Sequence, residues 1–384
     1  MKIAAYCQHV LGMGHLRRTL EILTALAGHT RLLVVGGPQT PVAVPAGVAV
    51  VRLPELSMDA GFGALTLSGE SLEHVRQERR KILWDTLDAV RPDVFFVELY
   101  PFGRKAFEFE LVPALTAIRE GLFGPCRVVC GVRDILVEKK DQAAYEARVL
   151  DRLARFFDAV LVHADPALFP LAATFARAAE IPVPVHHTGY VAAAPGPTRP
   201  SGVVRRELGV ECGRELVVAS AGGGKVGSEV LLAVLTACRE RPRLCRAAIR
   251  VSTGPFCADA AHAAIEAAAA ALPDARVYRF ADAFVDILAA ADLSVSLGGY
   301  NTVMELLAAG CRGLVAPFDQ NREQRLRAER LQALGLLGVL DPPDLEPGRL
   351  AGRLLAALDG PSPNATVNLD GARNTASFLE QLAT

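Results

Sequence analysis

Apolar residues fall along this chain in short dense runs, and between the runs they return every three or four positions, the spacing of one helix face. The first series of runs is IAAY (3–6), RLLVV (31–35), VAVVR (48–52), DVFFVE (93–98), RVVCGV (127–132), AVLVH (159–163) and VPVHHT (183–188). Such runs predict buried strands of parallel sheet, and the periodic stretches predict helices, best marked at 15–27, 71–90, 142–157 and 166–179. The Gly- and Ser-rich stretch 56–69 predicts a mobile loop.

At 191–202 the texture changes, because VAAAPGPTRPSG carries prolines and glycines without periodicity and reads as a linker. A second series follows: LVVAS (216–220), AIRVST (248–253), RVYRF (276–280), LSVS (293–296), GLVAP (313–317) and GVL (338–340). An alanine-rich helix is expected at 260–271, and a last helix at 370–382 follows a Pro- and Asn-rich break at 361–368. Each half opens alike, as strand, glycine turn and helix. The expected class is α/β with two Rossmann-like parallel-sheet domains. The boundaries read as an N-terminal domain at 1–190, a linker at 191–203, a C-terminal domain at 204–365 and a terminal helix at 366–384.

Composition narrows the function. A chain of 384 residues is long enough for two cores, and 51% hydrophobic with 22% charged residues describes a globular protein. Lys+Arg 41 against Asp+Glu 42, with no basic block, argues against nucleic acid as a partner. The 8 cysteines show neither CxxC nor zinc spacing, and Cys126 and Cys130 read as small buried residues on one strand face. No signal peptide and no run of the ~20 apolar residues needed to span a bilayer is seen. A cytoplasmic protein is expected, with peripheral contact at the inner membrane face left open.

Candidate chemistry collects at strand ends. Gly12-Met13-Gly14-His15 lies between the first strand and a helix carrying Arg17 and Arg18. Glycines let the backbone approach an anion at a helix start, and His15 titrates near neutral pH. A plain strand-to-helix turn is the alternative. Gly222, Gly223, Gly224 and Lys225 form a second turn, which lacks the GxxxxGK[ST] spacing but suits closure of amides on a diphosphate. In the third stretch Gly298 and Gly299 end a strand, a helix begins near Asn301 and Thr302 with Glu305 in its first turn, and Gln320, Asn321 and Gln324 follow the next strand. Those polar groups suit the hydroxyls of a ribose and a sugar. Thr302-Val-Met-Glu305 is equally a capping box, in which Glu305 serves only the helix end.

Together, Gly-x-Gly-His, the second glycine turn and SLGGYNTVMELLAAG…APFDQNREQ resemble the GT-B glycosyltransferases. They are most similar to the N-acetylglucosaminyltransferases of peptidoglycan lipid synthesis and to related predicted glycosyltransferases. The resemblance covers roughly 216–334 in the second half and only the Gly12–His15 region in the first. It implies a GT-B fold with two domains facing a cleft and the last helix packed back on the first domain. It implies that Glu305 binds the ribose of a UDP donor, that Gln320 and Gln324 meet the donor sugar, that Phe280 lies where backbone groups meet the uracil, and that Gly222 to Gly224 hold the diphosphate. His15 matches the histidine of the N-terminal glycine loop. The chain departs from the pattern at Ser296-Leu-Gly-Gly299, at Leu11-Gly-Met-Gly and at Asp319, which stands in place of a histidine.

The expected activity is metal-independent transfer of a sugar from a UDP-sugar, with UDP-GlcNAc a candidate, to an unidentified small-molecule, lipid-linked or peptide acceptor, with inversion. The UDP-sugar is a substrate, and neither cofactor nor metal is expected, since no Asp-x-Asp dyad is present. His15 is the candidate base, Glu98 and Asp134 are rivals, and Arg133 is a grip for an anionic acceptor. A nucleotide-sugar hydrolase or epimerase, and a non-catalytic nucleotide-sugar-binding subunit, are the competing readings.

Overall fold

The computed structural model describes all residues except 10–12, 41, 59–64, 67–70, 193–196, 282, 319–321, 364–366 and 384. The chain divides into two compact units, Met1–Val191 with Asn368–Thr384, and Ala192–Val367.

The first unit runs β1 Lys2–Gln8, α1 Gly14–Ala25, β2 Thr30–Gly36, β3 Val48–Arg52, β4 Ser57–Met58, β5 Leu65–Thr66, α2 Leu72–Val90 and β6 Val94–Glu98. It continues with α3 Glu108–Arg119, β7 Arg127–Arg133, α4 Gln142–Phe156, β8 Ala159–His163 and β9 Val185–His187. Seven strands form one parallel sheet in the order β3-β2-β1-β6-β7-β8-β9. The order reverses between β1 and β6, and ligands of open α/β sheets bind at such a switch point, at the carboxyl ends of the strands. β1 is buried from Ile3 through Gln8, which is why its sequence is apolar on both faces.

A buried ion pair ties the helices to that strand. Arg79 of α2 donates Nε to Glu110 Oε2 at 2.8 Å and Nη2 to Oε1 at 2.6 Å, and Tyr6 Oη also donates to Glu110. Gln8 Oε1 accepts from Arg79 Nη2 at 3.0 Å. Removing either charge strands the other in the core, at a cost of about 3–5 kcal/mol.

The second unit runs α5 Ser201–Glu207, β10 Leu216–Ser220, α6 Ser228–Arg239, α7 Pro242–Arg246, β11 Ala248–Ser252, α8 Asp259–Ala269, β12 Ala275–Tyr278 and α9 Phe284–Ala290. It ends with β13 Leu293–Ser296, α10 Tyr300–Ala309, β14 Gly313–Val315, α11 Arg322–Ala333, β15 Gly338–Val339 and α12 Pro347–Asp359. Its parallel sheet is ordered β12-β11-β10-β13-β14-β15, the Rossmann pattern, with its switch point between β10 and β13. Leu231, Val234 and Leu235 of α6 pack on Ile249 and Val295 of the sheet and on Leu350 and Leu354 of α12.

The last helix, α13 Gly371–Ala383, lies in the first unit. Its Ala376 and Leu379 join the core built around Leu16, Leu20 and Leu23 of α1. Tyr190 N–H donates to Asn368 O at 2.7 Å and Asn374 Nδ2 to Thr188 O at 2.8 Å, fixing the returning segment.

Several elements differ from their expected form, and proline explains three of them. The helix expected at 166–179 is replaced by two 3-10 turns, Leu171–Ala173 and Ala178–Glu180, because Pro170 lacks the N–H a continuous helix needs. The strand expected at 183–188 shrinks to Val185–His187 beside Pro182 and Pro184, and that at 313–317 ends at Val315, ahead of Pro317. Strand β12 stops at Tyr278, so Phe280 lies two residues past it. Cys126 lies just outside β7 and is only partly buried, whereas Cys130 is buried within it. Within 56–69, most of which is outside the described residues, β4 and β5 pair antiparallel.

Candidate functional site

The second glycine turn follows β10 at the switch point. Gly224 has φ +87, and a Cβ there would lie 2.4 Å from Thr253 O. Only glycine lets the turn pack this closely on the segment after β11. The contact is mutual, since Gly254 has φ +90 and a Cβ on it would lie 2.5 Å from Gly222 O and Gly224 N. Phe256 N–H donates to Gly223 O at 3.0 Å, and Gly224 N–H closes on Ala221 O at 3.2 Å. Gly222 faces solvent with φ +61, and Lys225 is exposed with Nζ 5.7 Å from the Phe256 ring centroid. The turn is therefore fixed from behind and open in front.

The neighbouring strand, β13, brings in the third stretch. Ser220 and Ser296 are register partners across β10 and β13, so the two loops leave the sheet side by side. Gly227, the N-cap of α6 at φ +94, is pressed against Leu297, and a Cβ on it would lie 2.6 Å from Leu297 Cδ1. A Cβ on Gly222 would lie 3.8 Å from Thr302 Oγ1.

Helix α10 begins one residue earlier than the sequence suggests. Gly299 is its N-cap, no described side chain caps it, and Thr302 is already inside the helix. The capping-box reading of Thr302 and Glu305 therefore fails, and Glu305 lies in the second turn rather than the first. Glu305 is buried, and the i, i+3 and i, i+4 spacings put it on one face with Thr302 and Asn301. An uncapped helix start offers N–H donors and the positive end of the helix dipole to an anion.

The loop before α10 is held by α11. Arg327, fully buried, donates Nη1 to Gly298 O at 3.3 Å, and its guanidinium lies 5.4 Å from the Tyr300 ring centroid. Gln324 Oε1 accepts from Phe318 N–H at 3.1 Å, and a Cβ on Gly298 would lie 3.4 Å from Gln324 Cβ. Gln324 thus has a positioning task whatever else its amide touches. Gln320 and Asn321 lie outside the described residues. Gly254, Gly227 and Arg327 were not singled out from the sequence. Only their packing reveals them, although Gly254 could have been suspected as a glycine directly after a buried strand.

In the first unit His15 sits in the first turn of α1, next to Gly14, its opening residue. Its Nδ1 lies 2.8 Å from Glu98 Oε1, at the end of β6, and Arg18 also pairs with Glu98. The Arg18 guanidinium and the His15 hydrogen bond hold Glu98 well below the usual carboxylate range despite burial. Nδ1 lies 2.8 Å from the ionised carboxylate, which only accepts, and 3.0 Å from Arg18 Nη2, which only donates; the shorter contact to Glu98 favours the proton on Nδ1, and that tautomer leaves the lone pair on Nε2. Burial, with the nearby Arg104 charge, lowers His15 to about 3, outweighing Glu98. The imidazole is neutral, oriented and 17% exposed. Asp134 is buried just past β7, and Arg133 donates Nε to Ile135 O at 3.1 Å. The described residues contain no group of three or more His, Cys, Asp or Glu able to hold a metal ion, and no helix long and apolar enough to cross a membrane.

A glycine turn and a helix start without a described side-chain cap thus leave neighbouring strands at the switch point of the second sheet. Residues 221–381 match the glycosyltransferase family 28 C-terminal domain. The match starts at the residue after β10 and spans the turn, β13 and α10. Over 138 residues the chain is 33% identical to the UDP-N-acetylglucosamine–N-acetylmuramyl-(pentapeptide) pyrophosphoryl-undecaprenol N-acetylglucosamine transferase of Vibrio cholerae, covering 36% of this chain and 37% of that enzyme. The chain thus spans little more than a third of the length of the curated relatives it matches. MurG of Acinetobacter baumannii superposes with a TM-score of 0.57 at 13% identity, over 100% of this chain and 98% of that one. A putative UDP-N-acetylglucosamine 2-epimerase of Listeria monocytogenes gives 0.60 at 12% identity, over 98% and 91%. The fold is that of the GT-B glycosyltransferases, as the resemblance implied. At such identities the superpositions speak for the fold alone.

Proposed function

We propose that the chain is a glycosyltransferase that moves a sugar from a UDP-sugar to an acceptor hydroxyl. The observation that carries the proposal is the juxtaposition of Gly222 with Thr302, inside the segment that matches a glycosyltransferase domain. It supports a diphosphate seated on the glycine turn, with the α10 helix start and Lys225 offsetting the charge of the leaving nucleotide. Glu305, buried on the same helix face, is the proposed partner of the ribose hydroxyls, and Gln324 with Gln320 and Asn321 of the sugar. Phe280 is the proposed marker of the base pocket.

His15 is the proposed base. Its Nε2 lone pair accepts the acceptor hydroxyl proton as the hydroxyl attacks the anomeric carbon, and Glu98 holds the ring in the tautomer this requires. A single displacement of this kind inverts the anomeric centre. UDP-GlcNAc is the first donor to try, because the matched relative uses that nucleotide sugar by name. Contact with the inner face of the cytoplasmic membrane belongs to the same proposal and rests on that relative's undecaprenol-linked substrate.

The test is calorimetry with UDP and UDP-sugars, followed by an assay of UDP release with candidate acceptors. No UDP binding sinks the proposal. Release that proceeds equally without an acceptor turns it into a hydrolase.

A further inference from the structure

The loop that leaves β6 carries an arginine for which the described chain supplies no partner. Arg104 is partly buried and held at φ 59, the left-handed region that L residues enter at a cost. The loop around it is tightly fixed. Tyr145 Oη donates to Phe102 O at 2.9 Å, Arg148 Nη2 to Pro101 O at 3.1 Å, and Phe107 N–H to Arg104 O at 2.9 Å. No described residue gives the Arg104 guanidinium a hydrogen bond or an ion pair.

Its surroundings are short of negative charge. The groups close enough to favour its charge are Cys7, Glu98 and Tyr6. Burial pushes the Cys7 thiol up to about 12 and raises the Tyr6 phenol, so both are neutral near pH 7. Glu98 is ionised but already pairs with Arg18 and His15. Lys139 lies within electrostatic range of Arg104, and Arg52 adds positive charge around His9. At the end of β1, His9 is 1% exposed, lies within electrostatic range of Arg104, and has a ring nitrogen, Nδ1, without a partner among the described residues. A partly buried cation without a counter-charge is costly unless a ligand supplies one.

We propose that Arg104 anchors an oxyanion subsite in which a phosphate or carboxylate of the acceptor binds beside His15. The assignment rests on the transferase reading and narrows its acceptor to a hydroxyl compound carrying such a group. Guanidinium suits either anion, because its planar fork pairs with two oxygens at once.

The test titrates inorganic phosphate, and separately acetate, into the full chain already saturated with UDP, so that the nucleotide site is filled. Wild type, Arg104→Gln and Arg104→Lys are compared after thermal unfolding shows each to be folded. At least one anion is expected to bind the wild type, about tenfold or more weaker to Arg104→Gln and less weakened in Arg104→Lys, which keeps the charge but loses the fork. Preference for phosphate identifies a phosphorylated acceptor, and preference for acetate a carboxylated one. No binding to the wild type, or equal binding by a folded variant, overturns the subsite. Loss of UDP binding in the wild type would instead strike the donor site, and the anion titration still reads Arg104 in that case.

Discussion

A methyl group placed on Gly254 would sit 2.5 Å from the backbone nitrogen of Gly224. Two glycines from different loops are thus packed backbone to backbone, and the turn proposed to hold the diphosphate takes its shape from a residue outside the motif. Gly254→Ala must push the turn off its seat, and at φ +90 alanine is strained as well. The expected result is donor binding weakened about tenfold or more. Gly352→Ala in α12, where a Cβ meets nothing within 4 Å, is the control outside the proposed site and should bind as the wild type does. Calorimetry with UDP on both variants decides it.

Glu305 tests the donor site from the other side. It is not a cap, because α10 starts at Tyr300 with Gly299 as its N-cap. Glu305→Gln keeps the shape of the side chain and removes its charge. A carboxylate that accepts ribose hydroxyls loses about 1.5–3 kcal/mol of binding, so the UDP dissociation constant of the folded variant should rise at least tenfold. If the variant unfolds early and its residual folded fraction binds UDP normally, Glu305 is a structural residue.

The His15–Glu98 pair makes a separable prediction. Replacing His15, a residue of the first unit, with Asn removes the proposed base, so turnover should fall by about 10²–10⁴-fold with UDP affinity unchanged. Glu98→Gln leaves the imidazole in place but can stabilise the wrong tautomer, and it frees Arg18 from its partner. Its expected signature is a lowered kcat with little change in donor KM. A loss confined to donor KM in either variant would remove the histidine from the chemistry.

The alternation of apolar runs and helical stretches was enough to read two parallel sheets, because strands buried on both faces are apolar throughout and cannot be mistaken for amphipathic ones. The strand ends at Ser220, Ser296 and Glu98 were legible for the same reason. The prolines at 170, 184 and 317 are plain in the sequence, but apolar periodicity carries no term for the N–H that each removes, so it extends the neighbouring elements too far. What could not be read was contact between loops distant in sequence. Gly254 beside Gly224, Arg327 under Gly298 and Arg18 on Glu98 are ordinary residues until the chain folds. The Thr302–Glu305 motif shows the opposite failure, since a local pattern that matches a capping box is overruled when the helix takes Gly299, three residues before Thr302, as its N-cap.

Three histidines, His9 and His163 buried and His15 partly so, should make the fold sensitive to mild acid. Burial lowers His9 to about 4 and His15 and His163 to about 3, against 6.5 in the unfolded chain. Between pH 6.5 and about 4 the unfolded chain binds protons that the folded chain refuses, so stability falls as pH is lowered and is recovered above 6.5. Each such group contributes at most about 1.4 kcal/mol per pH unit within that window. Glu98, also depressed, adds to the same loss further down, below the ordinary carboxylate range. Denaturant unfolding at pH 7.5 and pH 5 should show the decline. His163→Gln removes a fully buried imidazole that hydrogen-bonds Thr188, and should flatten the pH slope even if it lowers stability throughout. Equal unfolding free energies at the two pH values would mean that these imidazoles take up protons in the folded state.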